Sequence, residues 1–202
     1  MKLVVMTQPT FFVEEDKILT SLFDEGLDNL HLYKPGTSPM YSERLLTLLS
    51  SDFYSKITVH DNFYLKEEYK LRGIHISDPT TPAPKGYRGH ISRTCTDISQ
   101  LKEAKKNADY VFLKYIFDSQ TEADRKATFT TEQLEEAARH GLIDKHVYAL
   151  GGMNLDTIRM AKDLGFGGIV FSGDLWNRFN IQQELDYQAL INHFTKLRKA
   201  VG

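Results

Sequence analysis

Apolar residues along this chain follow two alternating rhythms. Short, nearly continuous runs rich in β-branched and aromatic residues are separated by longer stretches in which apolar positions recur at helical spacing. The first rhythm is that of strands buried on both faces, the second that of helices covering them. Strands are predicted over Leu3–Thr7, Leu30–Tyr33, Ile57–Val59, Gly73–Ser77, Gly89–Arg93, Tyr110–Phe117, His146–Leu150 and Gly168–Phe171. Helical patterns cover Val13–Phe23, Ser42–Leu49, Phe63–Lys70, Ile98–Lys106, Thr131–His140, Leu155–Leu164 and about Gln183–Arg198. Gly26 and Gly141 are predicted helix stops, and Asn154 a cap. The segment 78–86 holds three prolines and reads as a loop. Strands alternating with helices imply βαβ units and parallel pairing, and eight such units predict an α/β fold, a single (β/α)8 barrel domain over 1–202. The competing architecture is an open doubly wound sheet, but no G-x-G-x-x-G follows the first strand.

Barrels place chemistry where strands run into the following loops. The polar residues there are Tyr33 and Lys34, His60 and Asp61, Ser77 and Asp78, Ser92 to Thr94, Lys114 with Ser119, Thr121, Arg125 and Lys126, then Gly151 and Gly152, and finally Ser172 and Gly173. Gly151-Gly152-Met153-Asn154 is the sharpest of these signals. Two glycines allow close approach of backbone to a ligand, and the capped helix behind them turns its amide end outward. With Ser172-Gly173 beside them, they fit the phosphate site that barrels build from the loops after strands seven and eight. Asp61 is either a Mg²⁺ ligand or a helix cap. His60 and His75 are candidate acid–base groups, with His75 also suited to a barrel interior. Lys34, Arg93 and Lys114 could ring an anion.

Charge and composition narrow this further. The net charge of −2 leaves no excess of cations for a nucleic-acid surface. No run approaches the ~20 apolar residues that span a bilayer, and Met1–Met6 is too short for a secretory core, so a cytoplasmic protein without membrane partners is expected. The single cysteine, Cys95, rules out an intrachain disulfide and reads as a small core residue.

Several ordered segments resemble the thiamine phosphate synthase family and its thiazole tautomerase relatives. LHLYKPG at 30–36 is similar to the family's Gln-Leu-Arg-Glu-Lys, VHD at 59–61 to Ile-Asn-Asp, and GIHIS at 73–77 to Gly-Val-His-Leu-Gly. HISRTCT at 90–96 resembles Gly-Val-Ser-x-His, and ADYVFLKYIFDSQT at 108–121 resembles Ala-Asp-Tyr-x-x-x-Gly-Pro-x-Phe-x-Thr-x-Thr-Lys. YALGGMN at 148–154 is similar to Ala-Ile-Gly-Gly-Ile. The resemblance implies a barrel transferase that joins an aminopyrimidine methyl diphosphate to a thiazole phosphate and releases diphosphate with Mg²⁺. It implies Asp61 as metal ligand, with Asp78 as a substitute for the second metal aspartate, whose place is taken by Thr80. His60 falls in the diphosphate region, Ser92, Ser119 and Thr121 match ligand hydroxyls, and Gly151, Gly152, Ser172 and Gly173 match the thiazole phosphate site. The family's Arg and Lys after strand two stand here as Tyr33 and Pro35, and the lysine after Thr-x-Thr stands as Glu122. In a divergent synthase, Lys34, Arg93, Lys114 and Lys126 would replace those cations, with Lys34, His60 and Asp61 as catalytic groups. The tautomerases' histidine near strand six stands as Tyr115. Three functions stay open: a divergent synthase, a thiazole phosphate tautomerase, and a non-catalytic phosphate-ester-binding barrel. Relatives of this kind often form homodimers.

Overall fold

The computed structural model describes residues 1–120, 124–180 and 187–202. Thr121 and the predicted start of the last helix at Gln183 lie outside them. In chain order the elements are β1 (Lys2–Met6), α1 (Glu15–Asp24), β2 (Leu30–Leu32), α2 (Pro39–Leu48), β3 (Ile57–Val59), α3 (Tyr64–Glu68), β4 (Gly73–Ile76), β5 (His90–Cys95), α4 (Leu101–Ala104), β6 (Tyr110–Lys114), α5 (Thr131–Arg139), β7 (Val147–Leu150), α6 (Ile158–Asp163), β8 (Gly168–Phe171), α7 (Gly173–Trp176) and α8 (Gln188–Val201). All neighbouring strands are parallel, and β1 pairs with both β2 and β8, so the sheet closes into an eight-stranded barrel.

The local chemistry explains most boundaries. Thr130 and Gln133 form a reciprocal capping box at the start of α5, each side chain bonding the other's backbone N–H. Asn154 Oδ1 accepts from the amides of Asp156 and Thr157, but the turn it caps opens into α6 only at Ile158. β6 ends at Lys114, three residues short of the apolar run that predicts it. The short α7 carries no apolar periodicity long enough to be read from sequence.

Alternation along each strand divides the side chains between two cores. The larger core lies between barrel and helices and includes Leu19, Leu22, Leu46, Leu113, Ile169 and Phe194. The smaller fills one side of the barrel with Val4, Tyr110, Phe112, Tyr148, Leu150 and Val170. Gly168 belongs to this second layer, because a Cβ there would meet the Tyr148 ring at 2.6 Å. The other side of the interior is polar. Asn29, just before β2, and His31 on it reach across the barrel to the Tyr110 hydroxyl on β6, at 2.9 and 2.8 Å. His31 Nδ1 lies 2.8 Å from His60 Nε2, and the His60 ring stacks on His75 with centroids 4.1 Å apart. The two ring nitrogens of His75 lie 2.8 Å from Ser92 Oγ and 2.8 Å from Thr94 Oγ1. Burial disfavours the charged imidazoles, pushing His60 down to about 3 and His31 and His75 down as well.

A buried ion pair fixes the first loop. Lys34, just past β2, donates to Glu15 Oε1 at 2.6 Å and to the Thr10 carbonyl at 2.9 Å, and its ammonium lies 4.3 Å from the Phe11 ring centroid. Both side chains of the pair are almost fully buried, and burial raises the Glu15 carboxyl to about 7 against the opposing pull of Lys34.

Two outcomes follow for stability. Lys34→Met is expected to cost about 3 kcal/mol in urea unfolding, because it strands a buried carboxylate. Acidification is expected to lower stability below the unfolded histidine value of 6.5. The unfolded rings take up protons there while the folded rings do not, at up to about 1.4 kcal/mol per pH unit for each ring. Glu15, which holds its proton more tightly when folded, offsets one of the three between 4.5 and about 7. A flat unfolding free energy from pH 6.5 to 4.5 would show that the folded rings are charged.

Candidate functional site

A cavity of about 590 Å³ opens at the carboxyl ends of the strands. That size suits one small ligand. Its wall takes residues from nearly every strand end, among them Gln8, Tyr33, His60, Ser77, Thr94 and Lys114, and closes with Gly151, Gly152, Ser172 and Gly173.

The glycine side of this wall is built by backbone. Gly151 and Gly152 have φ of +104° and +67°, a conformation that L side chains rarely adopt. A Cβ on Gly152 would also meet the Asp118 carbonyl at 2.4 Å, so the loop after β6 packs directly on this turn. On the neighbouring strand end, α7 begins at Gly173, and Trp176 anchors it to the end of β1 through an indole N–H to the Met6 carbonyl at 2.7 Å. Asp174 also faces the cavity, but its carboxylate is bonded to His193 on α8 and pairs with Arg178. The two strand-end loops and the short helix thus bring Gly151, Gly152, Ser172 and Gly173 to one end of the cavity, the arrangement that barrels use for phosphate.

The cations divide sharply. Of Lys34, Arg93, Lys114 and Lys126, only Lys114 lines the cavity. It closes β6 with its ammonium 4.4 Å from the Tyr115 ring centroid, and its charge helps to depress the His60 and His75 imidazoles. Lys34 is held by Glu15. Arg93 is buried and faces outward, since Ser92 and Thr94 on either side of it bond His75 inside the barrel. Its guanidinium donates to the carbonyls of Asp78, Pro79, Thr81 and Asn107 and so fastens the proline-rich loop. Lys126 is exposed and paired with Asp118 at 3.1 Å.

The carboxylates expected to hold Mg²⁺ lie outside the cavity wall. Asp61 is exposed and absent from the cavity wall. Asp78 is exposed as well, and its Oδ1 accepts from both the amide and the hydroxyl of Thr80 at 2.7 Å, closing its own turn. Ser119 lines the cavity, whereas Ser92 lies deeper, bonded to His75. Thr121 is outside the described residues. Burial raises the Cys95 thiol to about 11, in keeping with a core role.

Sequence reasoning passed over His31, Thr7, Gln8 and Asp174. His31 sits inside an apolar triplet, where only its polarity marks it. Thr7 and Gln8 follow β1 and would have been found by applying the strand-end rule to the first strand. Thr7 Oγ1 accepts from the Tyr33 amide and donates to the Tyr33 carbonyl, each at 3.0 Å, stitching two cavity loops together. The ring nitrogens of His31, His60 and His75 lie within 4.8 Å of one another, a spacing that a metal ion could use. Yet both nitrogens of His31 and both of His75 already have partners at 2.8 Å, His31 with His60 and Tyr110 and His75 with Ser92 and Thr94.

Comparisons with known proteins agree with this architecture. The profile of the thiamine monophosphate synthase family matches residues 44–175. Among solved structures, thiamine phosphate pyrophosphorylase from Bacteroides thetaiotaomicron superposes with a TM-score of 0.90 at 49% identity, covering 99% of this chain and 97% of that one. Thiamine phosphate pyrophosphorylase from Pyrococcus furiosus gives 0.73 at 20% identity, over 99% and 95%. The tryptophan synthase α subunit from Legionella pneumophila gives 0.64 at 13%, over 99% and 92%. The last two show the fold alone. No curated protein matches the chain. Profile and near-complete, half-identical superposition together settle the kinship: the chain belongs to the thiamine monophosphate synthase family.

Proposed function

We propose that this protein serves thiamine biosynthesis by binding a thiazole phosphate and shifting a proton on its ring, as a tautomerase-type member of the family. The observation that carries this reading is the fate of the cations. Lys34, Arg93 and Lys126 are spent on Glu15, on loop carbonyls and on Asp118, so of these four candidates Lys114 lines the cavity, with Arg125 5.7 Å over the ring of the cavity-lining Tyr115. One lysine and two backbone turns match a single phosphate ester. Departure of diphosphate calls for concentrated positive charge aimed at the leaving group. A proton shift on the ring breaks no bond to phosphate and needs only an acid–base group within reach. His60, Lys114, Tyr33 and Tyr115 line the same cavity.

A second reading, a divergent thiamine phosphate synthase, is favoured by the 49% identity to a pyrophosphorylase over almost the whole chain. It would couple the aminopyrimidine methyl diphosphate to the same thiazole phosphate. It would need the loops that carry Asp61, Asp78 and Lys126 to swing onto the cavity when diphosphate and Mg²⁺ bind.

A thermal-shift titration separates the two. Thiazole phosphate is expected to stabilise the protein without Mg²⁺, by about 2.7 kcal/mol at a hundred times its dissociation constant. The pyrimidine diphosphate is expected to add nothing, with Mg²⁺ or without it. Mg²⁺-dependent stabilisation by the diphosphate would instead establish the synthase. In isothermal titration, Gly151→Ala and Lys114→Ala are each expected to weaken thiazole phosphate at least tenfold. Lys34→Met, away from the cavity, is expected to leave that affinity unchanged.

A further inference from the structure

The polar half of the barrel interior contains an ordered chain of hydrogen bonds that ends beside the cavity. Thr58 Oγ1 donates to Asn29 Oδ1 at 3.3 Å, and the Asn29 amide nitrogen donates to the Tyr110 oxygen at 2.9 Å. Tyr110 is 2.8 Å from His31 Nε2, and His31 Nδ1 is 2.8 Å from His60 Nε2. The last atom, His60 Nδ1, is buried and has no hydrogen-bond partner among the described residues.

With the Asn29 amide nitrogen toward Tyr110, proton counting gives this chain one direction. The Tyr110 oxygen accepts from Asn29, so its own proton is free to donate to His31 Nε2. A neutral imidazole has one N–H, so His31 carries its proton on Nδ1 and gives it to His60 Nε2. Neutral His60 then carries its proton on Nδ1. The reverse order would leave the Tyr110 hydroxyl proton without an acceptor and the His60 Nδ1 lone pair unmet. That strands two buried polar functions where the forward order strands one. Burial of both rings keeps them neutral, as the count requires.

We propose that Asn29, Tyr110 and His31 lock His60 in its Nδ1–H tautomer, and that this N–H recognises a hydrogen-bond acceptor on the heteroaromatic ring of the bound phosphate ester. The ligand class rests on the reading of the cavity given above; the tautomer lock does not. The His60 ring forms part of the cavity wall, although Nδ1 itself is shielded from bulk solvent. Tyr33, whose ring centroid lies 5.0 Å from that of His60, lines the same cavity beside it. An unmet buried donor is costly, and a ligand atom that meets it recovers that cost on binding. Phosphate is then held at the glycine turns and the ring is read at the histidine. His31 and Tyr110 act as positioning residues through His60.

Long-range ¹H–¹⁵N correlation spectra of the histidine side chains test the lock on the unmodified protein. His60 is expected to show a protonated Nδ1 and an unprotonated Nε2 at neutral pH. The opposite pattern, or an even mixture, would overturn the proposal whatever the ligand. Tyr110→Phe, which removes only the hydroxyl, is expected to convert that single tautomer into a mixture. It is also expected to weaken thiazole phosphate roughly five- to tenfold while leaving inorganic phosphate within twofold. Equal weakening of both probes would mean general loosening of the barrel and would refute ring recognition, as would no weakening of either. If thiazole phosphate fails to bind the wild-type protein, the substrate reading falls and ring recognition falls with it; the spectra still decide the lock.

Discussion

The pairing of β1 with β8 is the constraint on which the rest of this molecule depends. Once the ring closes, alternate side chains of every strand are committed to an interior without bulk water, and each polar atom there must find a partner inside the barrel. On the side of β1, β6, β7 and β8 the demand is met by filling the space with rings and aliphatic chains, Phe112 and Tyr148 above all. On the side of β2 to β5 it is met by matching donors to acceptors: Asn29 with Thr58 and Tyr110, His31 with His60, His75 with Ser92 and Thr94. The same enclosure strips the imidazoles of solvent and keeps them neutral. The chemical character of the cavity floor is therefore a consequence of barrel closure.

Closure also decides what basic residues can do. A cation at a strand end either faces the cavity or is captured by the loops that the barrel must tie down. Lys34 is captured by α1 and Arg93 by the proline-rich loop, and each holds an otherwise irregular segment against the scaffold. A buried cation in such a role cannot be lent to a ligand, because removing it strands its partners. Lys114 escapes this fate because the last residue of β6 points into the mouth, where its neighbours are aromatic and hydroxyl groups.

Much of this was legible in the chain. All eight strands, their parallel order and the glycine turns at 151–152 and 172–173 follow from runs of apolar residues and their punctuation. The histidine at 75 follows too, since a polar residue inside an apolar strand of a barrel has only the interior to go to. Other features hide for physical reasons. Ser92 and Arg93 are adjacent letters that alternation sends to opposite faces, and a strand ended at Arg93, two residues short of its true end, treats both as strand-end ligands. Lys34 looks like a free anion ligand until Glu15, nineteen positions earlier, is brought against it by the turn of the chain. The four-residue α7 is too short for periodicity to register. His31 looks like an interruption of LHL until the barrel places it between Tyr110 and His60.

This division of labour explains why kinship and reaction can part company in such a barrel. Here the glycine turns, the closure of the ring and the helix packing are set by backbone and core residues. The difference between displacing diphosphate and moving a proton rests on a few side chains at the mouth, each of which has a second, structural use close at hand. A lysine that swings from ligand to glutamate, or an arginine that turns from cavity to loop, changes the electrostatics of the site without moving a strand. In this chain Lys34 and Arg93 hold loops, and the barrel floor carries buried, hydrogen-bonded imidazoles. A site built that way gains selectivity for the shape and hydrogen-bond pattern of a ring at the expense of grip on charge. Under the proposed tautomer lock, its specificity is written in tautomers more than in salt bridges, which solvent and loop motion can undo.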